Sequence, residues 1–336
     1  MRNLSVFFLL FFLYGCEFAE NNASEESHKC ASYFYGDSLL VSKNKDSLVT
    51  ISNYLTKEVY RFVSKTEYCI LPIIRNNHLY FLKSDSSVEC VSLSSKSKVW
   101  EFKTTNKINN IKSFGQFLVL NIEHQGVKVL KLQSGQLLRD FNRAKGQKCN
   151  DMLINDFILD HESLFITDFN CNNISSVDLN SGDLKWGYNT NLSATRFLLC
   201  DTLLFGGITG NPLEKEGKIV LFNKKSGKVV FERKELFDLV VKPVKYLSSV
   251  LFVTYDQKIK KFNLSTRQIE KLVELKDLGG ICDNQLYLQG NKLYFSNCDN
   301  EIYEYDLLKD KLVFIKKTEN KLVNVFEFDK VLHFEN

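Results

Sequence analysis

Cysteine is the residue with the most chemistry to offer here: the chain has nine, an odd number. An odd count leaves at least one sulfur doing something other than pairing within the chain. No two cysteines are adjacent and no Cys-x-x-Cys occurs, so neither a redox motif nor a zinc knuckle is present. The histidines, His28, His78, His124, His161 and His333, are scattered, with no pair at zinc spacing. Asp168, Asn170, Asn172 and Asn173 form one oxygen-rich group of the kind that Ca²⁺ takes. A polar turn between strands accounts for the same residues. Gly206-Gly207 belongs to a strand-end turn, and Leu204 to Gly210 lacks the Gly-x-Ser-x-Gly elbow of a serine nucleophile. Lys258, Lys260 and Lys261 alternate around Ile259 and read as a solvated strand edge. With 44 Lys+Arg against 40 Asp+Glu, the net charge of +4 is small and spread out, which argues against a nucleic-acid partner.

The first residues, Met1-Arg2-Asn3, are followed by an apolar stretch from Leu4 to Tyr14. Eleven helical residues reach roughly 16 Å, well short of a bilayer core of about 30 Å. One positive charge, a short apolar run and a small residue at its end read as a secretory signal. Its end, Leu13-Tyr14-Gly15-Cys16, resembles the bacterial lipobox, which implies that Cys16 is the lipidated residue. Tyr14 departs from the usual small or aliphatic residue of that motif. Glu17 follows where an Asp would signal inner-membrane retention, so the resemblance implies the outer membrane, on its periplasmic face. Residues 16–30 are polar and mostly acidic, as a flexible tether between lipid and folded body would be.

These groups need a frame to hold them, and the frame is repetitive. His78-Leu79-Tyr80-Phe81, Ser163-Leu164-Phe165-Ile166, Val250-Leu251-Phe252-Val253 and Lys292-Leu293-Tyr294-Phe295 are copies of one strand. Ser38-Leu39-Leu40-Val41, Phe117-Leu118-Val119-Leu120, Thr202-Leu203-Leu204-Phe205 and Val331-Leu332-His333-Phe334 are fainter ones. Their starts lie roughly 40 to 48 residues apart, the period of a four-stranded propeller blade. Each copy continues into an alternating strand, a turn such as Asn180-Ser181-Gly182-Asp183, and a strand with an aromatic or apolar end such as Trp186. The glycine suits a turn that needs positive φ, and the terminal aromatic is expected to pack between blades. Residues 31–336 therefore read as a single all-β domain: an eight-bladed β-propeller of four-stranded antiparallel blades. Seven copies have four strands. The eighth, Leu322 to Phe328 and Lys330 to Asn336, has two, and Cys30 to Tyr35 is a candidate to help close it. Seven blades with a trailing hairpin is the alternative.

Asp178-Leu179-x-Ser181-Gly182-x-Leu184-x-Trp186 resembles the PQQ-type propeller repeat. With the lipobox and the eight copies, the chain resembles the BamB family, non-enzymatic lipoprotein scaffolds of the β-barrel assembly machinery. That resemblance implies no cofactor and a BamA-like partner, held by loops joining one blade to the next near mid-chain. Two loops hold that rank in the repeat order: Thr190 to Arg196, with Leu192 and Arg196 as contacts, and Lys234 to Pro243, with Asp238 as contact. Val240 replaces a second Asp of the family's loop. The rival resemblance is a PQQ-dependent dehydrogenase; a ligand- or glycan-binding propeller is the other alternative.

Export would place the body in an oxidising compartment, where disulfides persist. The start of a blade's first strand lies beside the end of its second. Cys149 with Cys171 and Cys282 with Cys298 hold those equivalent places in two blades, so both pairs are expected to bridge. Cys69 and Cys90 would be two strand spacings apart, and no bridge is expected. Cys30 and Cys200 read as buried thiols.

Overall fold

Short apolar runs bounded by Asn, Asp, Ser and Gly fold as strands, and the strands pair only with their sequence neighbours. The computed structural model describes residues 29–35, 39–44, 48–53, 56–66, 70, 72–141, 154–168, 173–190, 193–209, 217–235, 241–281, 286–318, 324–328 and 331–335. Blade 1 comprises β1 (Lys29–Tyr35), β2 (Leu39–Asn44), β3 (Leu48–Asn53) and β4 (Val59–Val63). Blade 2 has β5 (Ile73–Arg75), β6 (His78–Ser84), β7 (Ser87–Ser92) and β8 (Lys98–Lys103). Blade 3 has β9 (Ile108–Phe114), β10 (Phe117–Ile122), β11 (Gly126–Lys131) and β12 (Leu137–Phe141). Blade 4 has β13 (Ile154–Asp160), β14 (Ser163–Asp168), β15 (Asn173–Asp178) and β16 (Leu184–Asn189). Blade 5 has β17 (Ser193–Cys200), β18 (Leu203–Thr209), β19 (Gly217–Asn223) and β20 (Val229–Lys234). Blade 6 has β21 (Val244–Tyr246), β22 (Ser249–Thr254), β23 (Lys258–Asn263) and β24 (Ile269–Glu274). Blade 7 has β25 (Tyr287–Gln289), β26 (Lys292–Ser296), β27 (Glu301–Asp306) and β28 (Lys311–Lys317). A final hairpin pairs β29 (Asn324–Phe328) with β30 (Val331–Glu335).

All seven four-stranded sheets are antiparallel meanders in sequence order. First strands of successive sheets adjoin, from β13 through β17, β21 and β25 to β29, and β29 adjoins β1. The hairpin thus occupies an eighth position in a closed ring, and the expected eight-bladed propeller is the fold. Among the described residues the eighth blade holds the two strands expected of its sequence copy, and two details differ. Cys30 to Tyr35 do not close it, because they belong to β1, which pairs with β2 inside blade 1. That strand also begins two residues inside the expected tether.

The eight sequence copies are the eight second strands, from β2 to β30. Their near-continuous apolar character has a packing cause. A blade is covered on both faces by its neighbours, so the second strand is buried on both sides. All six residues of β22 are buried, while β4 on the outside alternates in exposure and β20 is exposed from Glu232 onward. Six apolar clusters fill the spaces between blades, each drawn mainly from two consecutive blades. Phe165, Trp186, Phe197, Leu204 and Phe222 form the layer between blades 4 and 5. Each such Leu or Phe contributes about 1.5–3 kcal/mol by leaving water.

The strand 3 to strand 4 turn is one device repeated around the ring. Asp178 Oδ1 accepts from the N–H groups of Asn180 (2.8 Å) and Ser181 (2.9 Å), and Gly182 N donates to Asp178 O (2.9 Å). Asn223 does the same for Lys225 and Ser226, and Asn263 for Ser265 and Thr266. The turn then needs a left-handed residue, which is Gly135, Gly182, Gly227 or, in blade 6, Arg267 at φ 63°. Glycine has a second reason at two of these turns. The ring of Trp100 in blade 2 lies on Gly135 of blade 3, and that of Trp186 in blade 4 on Gly227 of blade 5. Both indoles donate Nε1–H to a carbonyl of the next blade's turn, Leu132 O (3.1 Å) and Lys224 O (3.0 Å). The terminal aromatic therefore locks each of these blades to its successor, as the repeat implied.

Candidate partner-binding face

A meander of four strands fixes which loops share a face. Turns 1 to 2 and 3 to 4 of every blade lie on one side of the ring. Turns 2 to 3 and the connections between blades lie on the other. The two mid-chain connections that the sequence singles out are therefore on the same face, on either side of blade 5.

The second of them has well-anchored ends. Glu235 N donates to Gly217 O (3.0 Å), and its carboxylate accepts from Lys260 Nζ (2.7 Å), both side chains being largely buried. On the far side Val241 is buried in the layer between blades 6 and 7. Asp238 lies between these anchors and outside the described residues. The first connection follows β16, where Lys218 Nζ donates to Tyr188 Oη (3.1 Å) and pairs with Glu232 (3.0 Å). Leu192 also lies outside the described residues. Arg196 is differently placed from the expectation: Ser193 to Arg196 are not loop but the start of β17. The β17–β18 register slips between Ala194 and Phe197, so Thr195 and Arg196 form a bulge in the innermost strand of blade 5.

The bulge frees a backbone donor, and a carboxylate takes it. Phe197 N donates to Asp156 Oδ2 (3.3 Å) from the neighbouring blade. Asp156 Oδ1 accepts from Phe157 N (2.9 Å) and from Lys112 Nζ (2.6 Å) of blade 3. Lys112 also donates to Phe157 O (2.8 Å) and lies 4.5 Å from the centre of the Phe157 ring. One buried carboxylate thus ties the first strands β9, β13 and β17 together beneath the first connection. Nothing in the sequence singled out Asp156, whose partners are 44 and 41 residues away.

The lysines of β23 are each neutralised: Lys258 by Asp256 (2.5 Å), Lys260 by Glu235 (2.7 Å) and Lys261 by Glu270 (2.7 Å). Burial works to raise the Asp256 pKa, but the hydrogen bonds from Lys258 and Thr254 outweigh it and hold the carboxyl below its ordinary range. This strand has no free cationic row to offer a polyanion.

Farther round the same face, the connection from blade 6 to blade 7 is built on two amides. Gln257 Oε1 accepts from Ile281 N (2.9 Å). Asn297 Oδ1 accepts from Asp299 N (3.0 Å) and Glu301 N (2.7 Å), while its Nδ2 donates to Leu278 O (2.6 Å) and Glu301 Oε2 (2.8 Å). Hydrogen bonds from Tyr303 and Asn297 hold the Glu301 carboxyl below its usual range. The signal was in the sequence: Asn297-Cys298-Asp299-Asn300 repeats the pattern of Asn170-Cys171-Asn172-Asn173.

Cys298 is disulfide-bonded. Its expected partner Cys282, and the other expected pair Cys149 and Cys171, lie outside the described residues, as does Cys16. Cys90 in β7 and Cys200 at the end of β17 are free and buried. Burial pushes both thiols up to about 11, so neither is a thiolate at neutral pH. Among the described residues no group of three or more His, Cys, Asp or Glu side chains is disposed to hold a metal. Of the candidate oxygen cluster, Asp168 and Asn173 face each other across the ends of β14 and β15. Asn170 and Asn172 lie outside the described residues.

No protein-family model and no curated protein matches the chain. Solved structures do. A computationally designed protein, Ika8, superposes with a TM-score of 0.71 at 15% identity over 92% of this chain and 93% of that one. BamB from Moraxella catarrhalis superposes with a TM-score of 0.68 at 12% identity over 94% of each chain. Saccharomyces cerevisiae Sqt1 gives 0.68 at 11% identity over 90% of this chain and 89% of that one. At these identities the likeness is one of fold. A designed protein, a bacterial one and a yeast one sharing it shows how little a propeller says about function by itself.

Proposed function

We propose that the chain is a non-enzymatic, lipid-anchored propeller scaffold at the periplasmic face of the outer membrane. It holds a BamA-like assembly protein and so assists insertion of outer-membrane proteins. The observation that carries this reading is the pairing of a lipobox-like Cys16 leader with an eight-position propeller similar to BamB over 94% of both chains. The docking site in this reading is the rim over blades 4 to 6, with Leu192, Arg196 and Asp238 as its contacts. An apolar residue, an Arg and an Asp in two connections on one face, whose ends are held by the Glu235–Lys260 pair and by Asp156, suit a small hot spot. The mechanism is binding alone, and rigidity is what the blades supply.

The test is affinity purification of the lipidated protein from its own membrane. BamA should co-purify, and Arg196→Ala with Asp238→Ala should weaken that capture about tenfold or more. Undiminished capture by the double variant would overturn the docking site, and absence of BamA would overturn the partner. Adding PQQ and Ca²⁺ should give no spectral change and no thermal shift; either response would favour the dehydrogenase-like rival.

A further inference from the structure

The chain enters the ring at one definite place. Lys29 opens β1 and lies opposite Asn44, where β2 turns into β3. That turn belongs to the face of the connections between blades. β1 is a first strand and adjoins β29, so the entry point is at the inner rim, beside the mouth of the channel. Cys16 stands thirteen residues earlier. Thirteen residues reach at most about 45 Å when fully extended, and about 20 Å on average when flexible. For the opposite face to lie on a bilayer, those residues would first have to pass outwards over blade 1. Three strand spacings take about 14 Å, and the length of a six-residue strand such as β2 takes about 20 Å more. That route uses about 34 of the 45 Å before any corner is rounded. The channel offers no better path, because a chain drawn down it would thread a closed ring.

We propose that the propeller rides with its connection face towards the bilayer, spaced from it by residues 17–28. This rests on the lipidated Cys16 of the proposed function and adds an orientation to it. The mid-chain connections with Leu192 and Asp238 open on that same face, so the partner is taken from the membrane side, in the gap between ring and bilayer. The gap limits the partner's size. A folded domain of about 100 residues has a radius of gyration near 13 Å and so measures about 34 Å across. One such domain fits a gap of at most about 45 Å, and two stacked ones do not. The partner surface is therefore a single small domain lying next to the outer membrane. A tether of this length also raises the effective concentration of the rim for a partner held in the same bilayer. The turn face, with the exposed Leu247 and Leu308, looks away from the membrane.

Blade 6 supplies a ruler for the test. Leu247 precedes β22 on the turn face and Tyr255 follows it on the connection face, about 27 Å away along the strand. The two residues are 74% and 51% exposed, so a label at either leaves the core alone. The lipidated full chain is placed in vesicles of phosphatidylethanolamine and phosphatidylglycerol. A donor dye is carried by an azide-bearing residue in place of Leu247 or of Tyr255, and the acceptor by the lipid headgroups. Energy transfer should be about twofold or more stronger from the Tyr255 site. Equal transfer, or stronger transfer from the Leu247 site, would overturn the orientation and leave the anchor standing. The mass of the N-terminal peptide reads the anchor separately, and Cys16 without acyl chains would overturn both. Removing residues 20–27 cuts the reach to about 17 Å, too little for a domain about 34 Å across. Capture of BamA by the vesicle-bound protein should then fall about tenfold or more, and a Gly/Ser segment of the same length should restore it. Undiminished capture by the shortened chain would overturn the spacing, whereas capture by neither chain would overturn the partner alone.

Discussion

Replacing Gly227 by Ala measures how strongly one blade is locked to the next. Two costs act at this position. Gly227 sits at φ +68°, where an L-residue costs about 1–2 kcal/mol. An added Cβ would also lie 2.4 Å from the Trp186 ring. That ring has little room to yield. Its Nε1 is tied to Lys224 O, it stacks on Phe222 at 5.9 Å between centroids, and Phe165 backs it at 5.9 Å. Such overpacking costs about 1–3 kcal/mol. Gly227→Ala is therefore expected to lose about 2–5 kcal/mol. Gly115→Ala is the internal control, because Gly115 has φ +53° but nothing within 4 Å of the new Cβ. It should lose only the conformational part, about 1–2 kcal/mol. Urea unfolding followed by tryptophan fluorescence reads both, since the two tryptophans, Trp100 and Trp186, each sit at such a junction. Trading Trp186 for Leu should recover about 1–3 kcal/mol of the Gly227→Ala loss in a double-mutant cycle. Equal losses for Gly227→Ala and Gly115→Ala, or a cycle with no coupling, would refute the interlocking argument.

Three other outcomes follow from the geometry. Asp156→Ala should cost about 2–4 kcal/mol in urea unfolding, because it strands Lys112 and two backbone donors at the inner rim; Asp156→Asn should cost less. Asp178 is held at about 2, first by the Ser181 N–H and then by Lys185, so its folded value lies below the unfolded 3.8. Its contribution is complete above pH 3.8 and is lost as pH falls towards 2, so Asp178→Asn should flatten the stability curve between pH 4 and 2. Non-reducing peptide mapping of exported protein should find Cys282 joined to Cys298 and Cys149 to Cys171, with Cys90 and Cys200 alkylated only after unfolding; a free Cys149 would remove the second bridge.

Much of the architecture is legible in sequence because the propeller repeats its constraints. Leu79-Tyr80-Phe81 and Leu251-Phe252-Val253 stand out because a second strand is buried on both faces. Asp178 and Gly182 stand out because an Asx turn needs an acceptor at its start and a left-handed residue near its end. The bulge at Arg196 was not legible. A loop and a bulged strand start read alike over four residues, and only the slip of β17 against β18 separates them.

The sequence by itself determined the period, the strand that each repeat contributes and the turn chemistry. These are local patterns, set by backbone preference and by which faces are wet. Tertiary structure alone decided that β29 seats against β1, that Cys30 to Tyr35 stay within blade 1, and that Asp156 joins three blades. The contacts of β29 and of Asp156 join residues at least a blade apart in the chain. Such contacts depend on the angle at which blades meet around the ring, and no window of sequence records that angle.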